Sequence, residues 1–346
     1  MAASSIAIVG TGANGAGIGA DLVRAGLDVT FIDQWPENVE AIRTHGIRVD
    51  LPDDVTTTPV RALHLCDVAT LRQQFDLVMV VVKAYDTGWA SRLIEPYLKA
   101  DGLAVGLQNG MTIDAMTPVF GPHRTIGAVI EIAAAMWEPG VVERHTPPAG
   151  TWFGIGRVGP DAQGREHEVA DLLRPAGSAE IVDDIRSAKW MKLVVNAAEL
   201  VTSAICNLPL LDAASLPGMD AFMRVAGKEA IRTAIAAGQE VVPIIGISDV
   251  DPREPEAFVD RMLDAVYTNW SLPHTKTTVL QDWQKGRHSE VNELNGYVVD
   301  VGRQLGIAIP ANERVVALAH RIESGELSAH PSNAALLLAP LPEDAA

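Results

Sequence analysis

The sequence predicts an α/β domain built on a parallel sheet, followed by an all-helical domain. Three observations carry this. Short apolar runs alternate with helical stretches through the first part of the chain. A glycine cluster, Gly10-Thr11-Gly12-Ala13-Asn14-Gly15, follows the first of those runs. Past Asp184 the apolar residues recur at helical spacing. With 346 residues the chain is too long for one ordinary core and suits two domains.

Ile6 to Gly10 (IAIVG) reads as a buried parallel strand, residues 13–26 as a helix and Asp28 to Asp33 (DVTFID) as a second strand, which makes a βαβ unit. Leu77 to Val82 (LVMVVV) is another apolar strand, with a helix expected over 87–99 and strands at 103–107 and 124–132. From 140 to 160, glycines, prolines and alternating residues suggest antiparallel strands. Helices are expected at 186–205, 217–238, 254–268, 286–305 and 311–324. In the fourth of these, Val291, Leu294, Val298, Val301 and Leu305 form one apolar stripe. The expected domains are therefore 1–184, 185–330 and a tail at 331–346.

Composition narrows the class of function. Hydrophobic residues at 48% and charged residues at 21% fit a folded globular protein. The net charge of −17 repels a phosphodiester backbone, so nucleic acid is not an expected partner. Two cysteines, Cys66 and Cys206, allow neither a disulfide scaffold nor a metal-ligand spacing, so no metal is expected. Low cysteine usage, an N-terminus without a basic region and no long apolar stretch predict a cytoplasmic protein with no membrane span.

The glycine cluster fits G-x-G-x-x-G in the context that gives this pattern meaning, after a strand and opening a helix. Gly10 permits the tight turn, Gly12 lets a pyrophosphate approach the backbone, and Gly15 lets helix and strand pack closely. Ala13, Asn14 and Gly15 open the helix, whose free N–H groups and positive dipole end suit phosphates. Asp33 ends the second strand, 18 residues after Gly15. A carboxylate there accepts hydrogen bonds from the adenosine ribose and repels a 2′-phosphate, which predicts NAD. The same carboxylate also suits a turn cap before Pro36. Arg43, on the next helix, leaves an NADP reading open.

The chain resembles the ketopantoate reductase (2-dehydropantoate 2-reductase) family over nearly its whole length. The matching pieces are the glycine loop, Val82-Lys83-Ala84-Tyr85, Gln108-Asn109-Gly110, Lys189-Trp190-Met191-Lys192-Leu193-Val194-Val195-Asn196, Leu280-Gln281-Asp282, Ser289-Glu290-Val291-Asn292 and Asn295-Gly296. The resemblance implies a Rossmann-type domain joined to a helical C-terminal domain of the 6-phosphogluconate dehydrogenase C-terminal-like kind, with the active site in a cleft between them. It implies Lys192 and Glu290 as catalytic residues, and Asn196, Thr278 and Asn109 as substrate contacts. Asn109 and Lys83 are also implied beside the cofactor. Two departures stand out: Leu200 replaces a second asparagine on the lysine helix, and Asp33 stands where an NADP-friendly residue is usual.

Chemistry agrees with these roles. Hydride transfer to a carbonyl leaves charge on oxygen that a positioned acid must neutralise, and lysine can do this where burial lowers its pKa. Lys192 sits among Trp190, Leu193, Val194, Ala197 and Ala198, and Asn196 shares its helix face. A solvated lysine and a solvated Glu290 are the plain alternatives. His145, His274 and His288 read as surface or turn residues. Trp137, Trp152 and Trp190 raise the idea of an aryl acid. The expected protein is an NAD-dependent oxidoreductase acting on a small 2-hydroxy or 2-oxo acid, as a homodimer. The rival readings are an NADP-dependent 2-dehydropantoate 2-reductase of pantothenate biosynthesis, an enzyme for a 3-hydroxy acid, and a non-catalytic NAD sensor.

Overall fold

Apolar residues that alternate in direction along each early strand need cover on both faces, and they receive it. The computed structural model describes residues 5–248 and 250–341. The chain divides into two units, Met1–Arg186 and Ser187–Ala346.

In the first unit the order is β1 (Ser5–Val9), α1 (Ala13–Arg24), β2 (Asp28–Asp33), α2 (Pro36–His45), β3 (Ile47–Asp50), β4 (Val55–Thr58), β5 (Arg61–His64), β6 (Phe75–Val80), α3 (Thr87–Ile94), β7 (Leu98–Gly106), α4 (Ile113–Phe120), β8 (Thr125–Glu131), β9 (Ala134–Glu138), β10 (Val141–Arg144), β11 (Trp152–Arg157), α5 (Glu166–Leu173) and β12 (Ser178–Ile181). Eight strands form one sheet in the order β12-β11-β8-β7-β6-β1-β2-β5. Neighbours run parallel except β11, which is antiparallel to β8. Ile6 and Ile8 of β1 face one core with α1 and α2, while Ala7 and Val9 face another with α3 and α4.

A smaller sheet, β4-β3-β10-β9, lies against α1. Its centre is a parallel pairing of β3 with β10, so the antiparallel expectation for 140–160 holds for β9 with β10 and for β11 with β8 but not there. A buried ion pair fastens α1 to this sheet. Arg144 Nη1 meets Asp21 Oδ2 with both side chains almost fully enclosed. Arg144 also donates to the Thr146 carbonyl (2.9 Å), Thr151 Oγ1 (3.0 Å) and the Ala176 carbonyl (3.0 Å).

The second unit holds nearly all of α6 (Ile185–Ile205), then α7 (Leu210–Ser215), α8 (Met219–Ala236), α9 (Pro255–Ala265), α10 (Thr278–Gln284), α11 (Tyr297–Leu305), α12 (Pro310–Glu323) and α13 (Ala334–Leu337). The helix expected over 286–305 is corrected: 287–291 is non-helical, Asn292–Gly296 is a π-helical turn, and α11 follows. The extra residue of a π turn shifts the register, and Leu305 at the end of the expected stripe is 44% exposed. A buried polar network sets the core. Glu229 accepts from the Ala311 and Asn312 amides at the N-terminus of α12 (2.9 Å each) and from Asn312 Nδ2 (2.8 Å). Burial pushes this carboxyl above its ordinary range while those donors pull it back. The last described residues are tied to the same unit, with Arg314 donating to the Leu337 carbonyl (2.9 Å) and Asn333 to the Ile205 carbonyl (3.1 Å). Among the described residues no helix is long and apolar enough to cross a membrane.

Candidate active site

The candidate site of the first unit lies at the carboxyl end of the parallel strands, where β1 gives way to α1. Gly10 has φ +98°, and a Cβ there would stand 2.6 Å from the Val82 amide nitrogen, so no other residue fits without moving backbone. A Cβ at Gly15 would collide with the Gly10 carbonyl. Gly12 differs: a Cβ there meets nothing within 4 Å. Packing within the protein does not require a glycine at that point, whereas the close approach of a pyrophosphate does. Gly12 starts α1 without a side-chain cap, and the first turn carries no acidic residue. The amides of Ala13, Asn14 and Gly15 therefore form a site suited to an anion.

Asp33 is buried beside this loop. One carboxylate oxygen accepts from the amide and hydroxyl of Thr11, and the other from the Trp35 amide (2.7 Å). Both roles foreseen for Asp33 are thus compatible, because the turn bond to Trp35 is present and a carboxylate has about four acceptor positions. Asn38 braces the loop, donating to the Thr11 carbonyl (3.0 Å) and accepting from the Gly140 amide (2.8 Å). Arg43, by contrast, points at protein. It donates to the Ala62 carbonyl (2.8 Å) and pairs with Glu40 and Asp67. A 2′-phosphate would have to compete with two carboxylates for it. These features fit a nicotinamide dinucleotide. Lys83 and Asn109, both half-buried, follow β6 and β7 at the same edge. Gln108 ties the two segments, donating to the Val82 carbonyl (2.6 Å) and Thr87 Oγ1 (2.8 Å).

The candidate site of the second unit lies on α6. From Ser187 to Cys206 every residue is buried but one, and that one is Lys192, which is half-exposed. Asn196, one turn on, is buried on the same face. Thr277 stitches the start of α10 to this helix, donating to the Leu200 carbonyl (3.0 Å) and lying 3.2 Å from Ser203 Oγ. The next residue, Thr278, has a buried hydroxyl with no hydrogen-bond partner among the described residues. A buried orphan hydroxyl is costly unless a ligand completes it. Glu290 is buried too, in the non-helical segment before the π turn, rather than solvated on a helix face. Asn295, in the π turn, donates to the Ala197 carbonyl (2.8 Å) and so fixes that turn against α6.

Residues 6–157 match the family model described as Ketopantoate reductase PanE/ApbA, and residues 184–323 match Ketopantoate reductase PanE/ApbA C terminal. The chain belongs to the ketopantoate reductase family. It is accordingly an oxidoreductase acting on CH–OH groups with a nicotinamide cofactor. The 2-dehydropantoate 2-reductase of Archaeoglobus fulgidus is 28% identical over 334 residues, covering 94% of this chain and 100% of the relative. A solved PanE/ApbA family ketopantoate reductase from Ralstonia eutropha is 29% identical with a TM-score of 0.77, over 93% of this chain and 99% of that one. A D-mandelate dehydrogenase solved with NADH and anilino(oxo)acetate has a TM-score of 0.82 over 93% of this chain and 98% of that one. At 21% identity it shows the fold alone.

Relative to the family expectations, several contributors had no sequence signal. Glu323, at the end of α12, accepts from Ser289 Oγ (2.6 Å), the Ser289 amide (3.1 Å) and Trp283 Nε1 (3.1 Å), and so holds the residue beside Glu290. Those donors keep its carboxyl below the ordinary range against the opposing effect of burial. Glu199 is buried three residues past Asn196 on the lysine face. Of the tryptophans singled out, Trp190 is core, its ring centroid 5.5 Å from that of Tyr297, Trp152 is buried on β11, and Trp137 is 38% exposed on β9. His274 and His288 are exposed, and His145 is half-buried after β10.

Proposed function

We propose that this enzyme transfers a hydride between NAD and a small 2-oxo or 2-hydroxy acid, with Lys192 as proton donor and acceptor. The observation behind it is that the one half-exposed position of α6 from Ser187 onward is a lysine, followed one turn on by a buried asparagine. The names of the relatives support 2-dehydropantoate as the acid, in preference to an unspecified hydroxy acid. Leu200, buried where the family resemblance implies an asparagine, favours a second reading: another 2-oxo acid with one polar group fewer.

The nicotinamide supplies the hydride in reduction and receives it in oxidation. Gly10, Gly12, Ala13, Asn14 and Gly15 would hold the pyrophosphate, Asp33 the adenosine ribose, and Lys83 and Asn109 the nicotinamide end. In reduction the Lys192 ammonium gives a proton to the carbonyl oxygen as charge builds there. In oxidation the neutral amine takes the hydroxyl proton. Asn196 and the Thr278 hydroxyl orient the acid, the latter gaining the partner its burial demands. Glu290, fixed through Ser289 by Glu323, holds the substrate oxygen toward Lys192.

Steady-state reduction of 2-dehydropantoate, run in parallel with NADH and NADPH, tests this reading. Fast turnover with NADH and poor turnover with NADPH is the expected result. Preference for NADPH would overturn the NAD assignment. Turnover with NADH of other 2-oxo acids alone would select the second reading, and none with any would sink the reaction itself. Asp33→Ala should narrow the NADH-over-NADPH ratio by about tenfold, since hydrogen bonds to a charged group contribute ~1.5–3 kcal/mol. Thr11 and Trp35 lose their acceptor in this variant, so total affinity falls and the ratio is the quantity to read. An unchanged ratio would mean another residue selects the cofactor.

A further inference from the structure

The strand order β6-β1-β2 puts the segments after β2 and β6 on opposite sides of the Gly10 loop. One side chain spans that gap. Gln34, the residue after Asp33, donates from Nε2 to Asp86 Oδ2 at 3.1 Å. Asp86 ends the short turn Ala84–Asp86 beyond β6, and Trp89 Nε1 holds its other oxygen at 2.6 Å. With the pyrophosphate on α1 and the ribose at the end of β2, the adenosine of a bound dinucleotide would lie along this bridge.

We propose that Asp86, through its bond to Gln34, is a second cofactor-selecting carboxylate, which disfavours a dinucleotide bearing a 2′-phosphate and leaves one with a free 2′-hydroxyl unaffected. The inference rests on the NAD reading of Asp33 and extends it to a residue on the opposite wall. Two physical effects combine. A 2′-phosphate carries up to two negative charges and would meet Asp33 on one side and Asp86 on the other. The Gln34 amide is also the polar donor next in line to Asp33, and Asp86 holds its N–H group away from a phosphate. Two arginines of this region are engaged with protein groups. Arg43 is bound to Glu40 and Asp67, and Arg92 reaches back to the Gly88 carbonyl at 3.4 Å. The sequence alone gives no hint of the bridge, since its ends lie 52 residues apart.

The test is a fluorescence titration of the full chain with NADH and NADPH, for wild type, Asp86→Asn and Asp86→Glu, with thermal melts as a folding control. Asparagine keeps the shape and the bond to Trp89 but removes the charge, and its amide releases Gln34. Asp86→Asn is expected to tighten NADPH about fivefold, the size of one exposed charge interaction, with NADH changed less than about twofold. Asp86→Glu keeps the charge and should keep the wild-type ratio. If wild type binds both cofactors equally, the NAD reading fails and the proposal falls with it. If wild type prefers NADH and Asp86→Asn leaves the ratio unchanged, or weakens both cofactors alike, the Asp86 proposal is overturned while the Asp33 reading stands. Equal relaxation by Asp86→Glu would also overturn it, because shape and not charge would then be responsible.

Discussion

Lys192→Ala is expected to lower turnover about 10²- to 10⁴-fold in both directions, the contribution of one positioned general acid–base. NADH should bind with near wild-type affinity, because the residues assigned to the dinucleotide all belong to the first unit. Stability should also hold, since Lys192 is the residue of α6 between Ser187 and Cys206 that the core does not enclose. Lys192→Arg keeps a cation that does not lose its proton, so it should fail to restore oxidation. In the wild type, oxidation should quicken as pH rises from about 7 to about 9, because the base form of a lysine is the neutral amine. The variant should lose that rise. The measurement is kcat at several pH values beside NADH fluorescence titration. Turnover of Lys192→Ala within a few-fold of wild type would remove the residue from the mechanism.

Breaking the Asp21–Arg144 pair should produce the largest loss of stability. Arg144→Met leaves the Asp21 carboxylate enclosed, with the partly exposed Arg24 as its remaining partner. Removing one member of a buried pair costs about 3–5 kcal/mol, because the other charge stays desolvated. Removing both charges is far cheaper, and Asp21→Leu with Arg144→Met should recover most of the loss. Urea unfolding of wild type, both single variants and the double variant gives the comparison. A single-variant loss below about 1 kcal/mol, or a double variant as unstable as the sum, would show that the pair is not a desolvated unit. The Thr146, Thr151 and Ala176 acceptors of Arg144 lose their donor in Arg144→Met and in the double variant, which sets the part the double variant does not recover.

The parts of the fold that were legible in the sequence are those whose cause is local. The β1–α1–β2 unit shows as apolar runs and glycine spacing, and the observed φ of Gly10 and open space at Gly12 are what those glycines serve. The order of an α/β unit and then a helical one was likewise legible. The smaller sheet was not. β3 is Ile-Arg-Val-Asp and β4 is Val-Thr-Thr-Thr, short and mixed, and β3 is completed by β10, a partner distant in the chain. The sequence spacing predicts plain helix across the π turn at 292–296, because apolar residues spaced by three and four cannot reveal one added residue. At the site, Lys192 and Asn196 share a face by spacing alone. Glu323, Asn38 and Asp86 are invisible to periodicity, since each acts on a residue that only the folded chain brings near.

The small sheet beneath α1 has a consequence for the order in which the enzyme comes into being. Its strands come from two hairpins, β3–β4 and β9–β10, and Arg48 pairs with Val141 across about half the length of the first unit. On the ribosome, the dinucleotide loop is made well before β9 and β10, the second hairpin of its foundation. A growing chain that has passed Asp33 but not reached Val141 carries an α1 whose Gly17 has lost its Val142 cover and whose Asp21 has no Arg144. The non-local closure is also the slow kind. Acquisition of nucleotide by a nascent chain therefore reports that the stretch through Arg144 has emerged and folded back, and not that the β1–α1–β2 segment has formed.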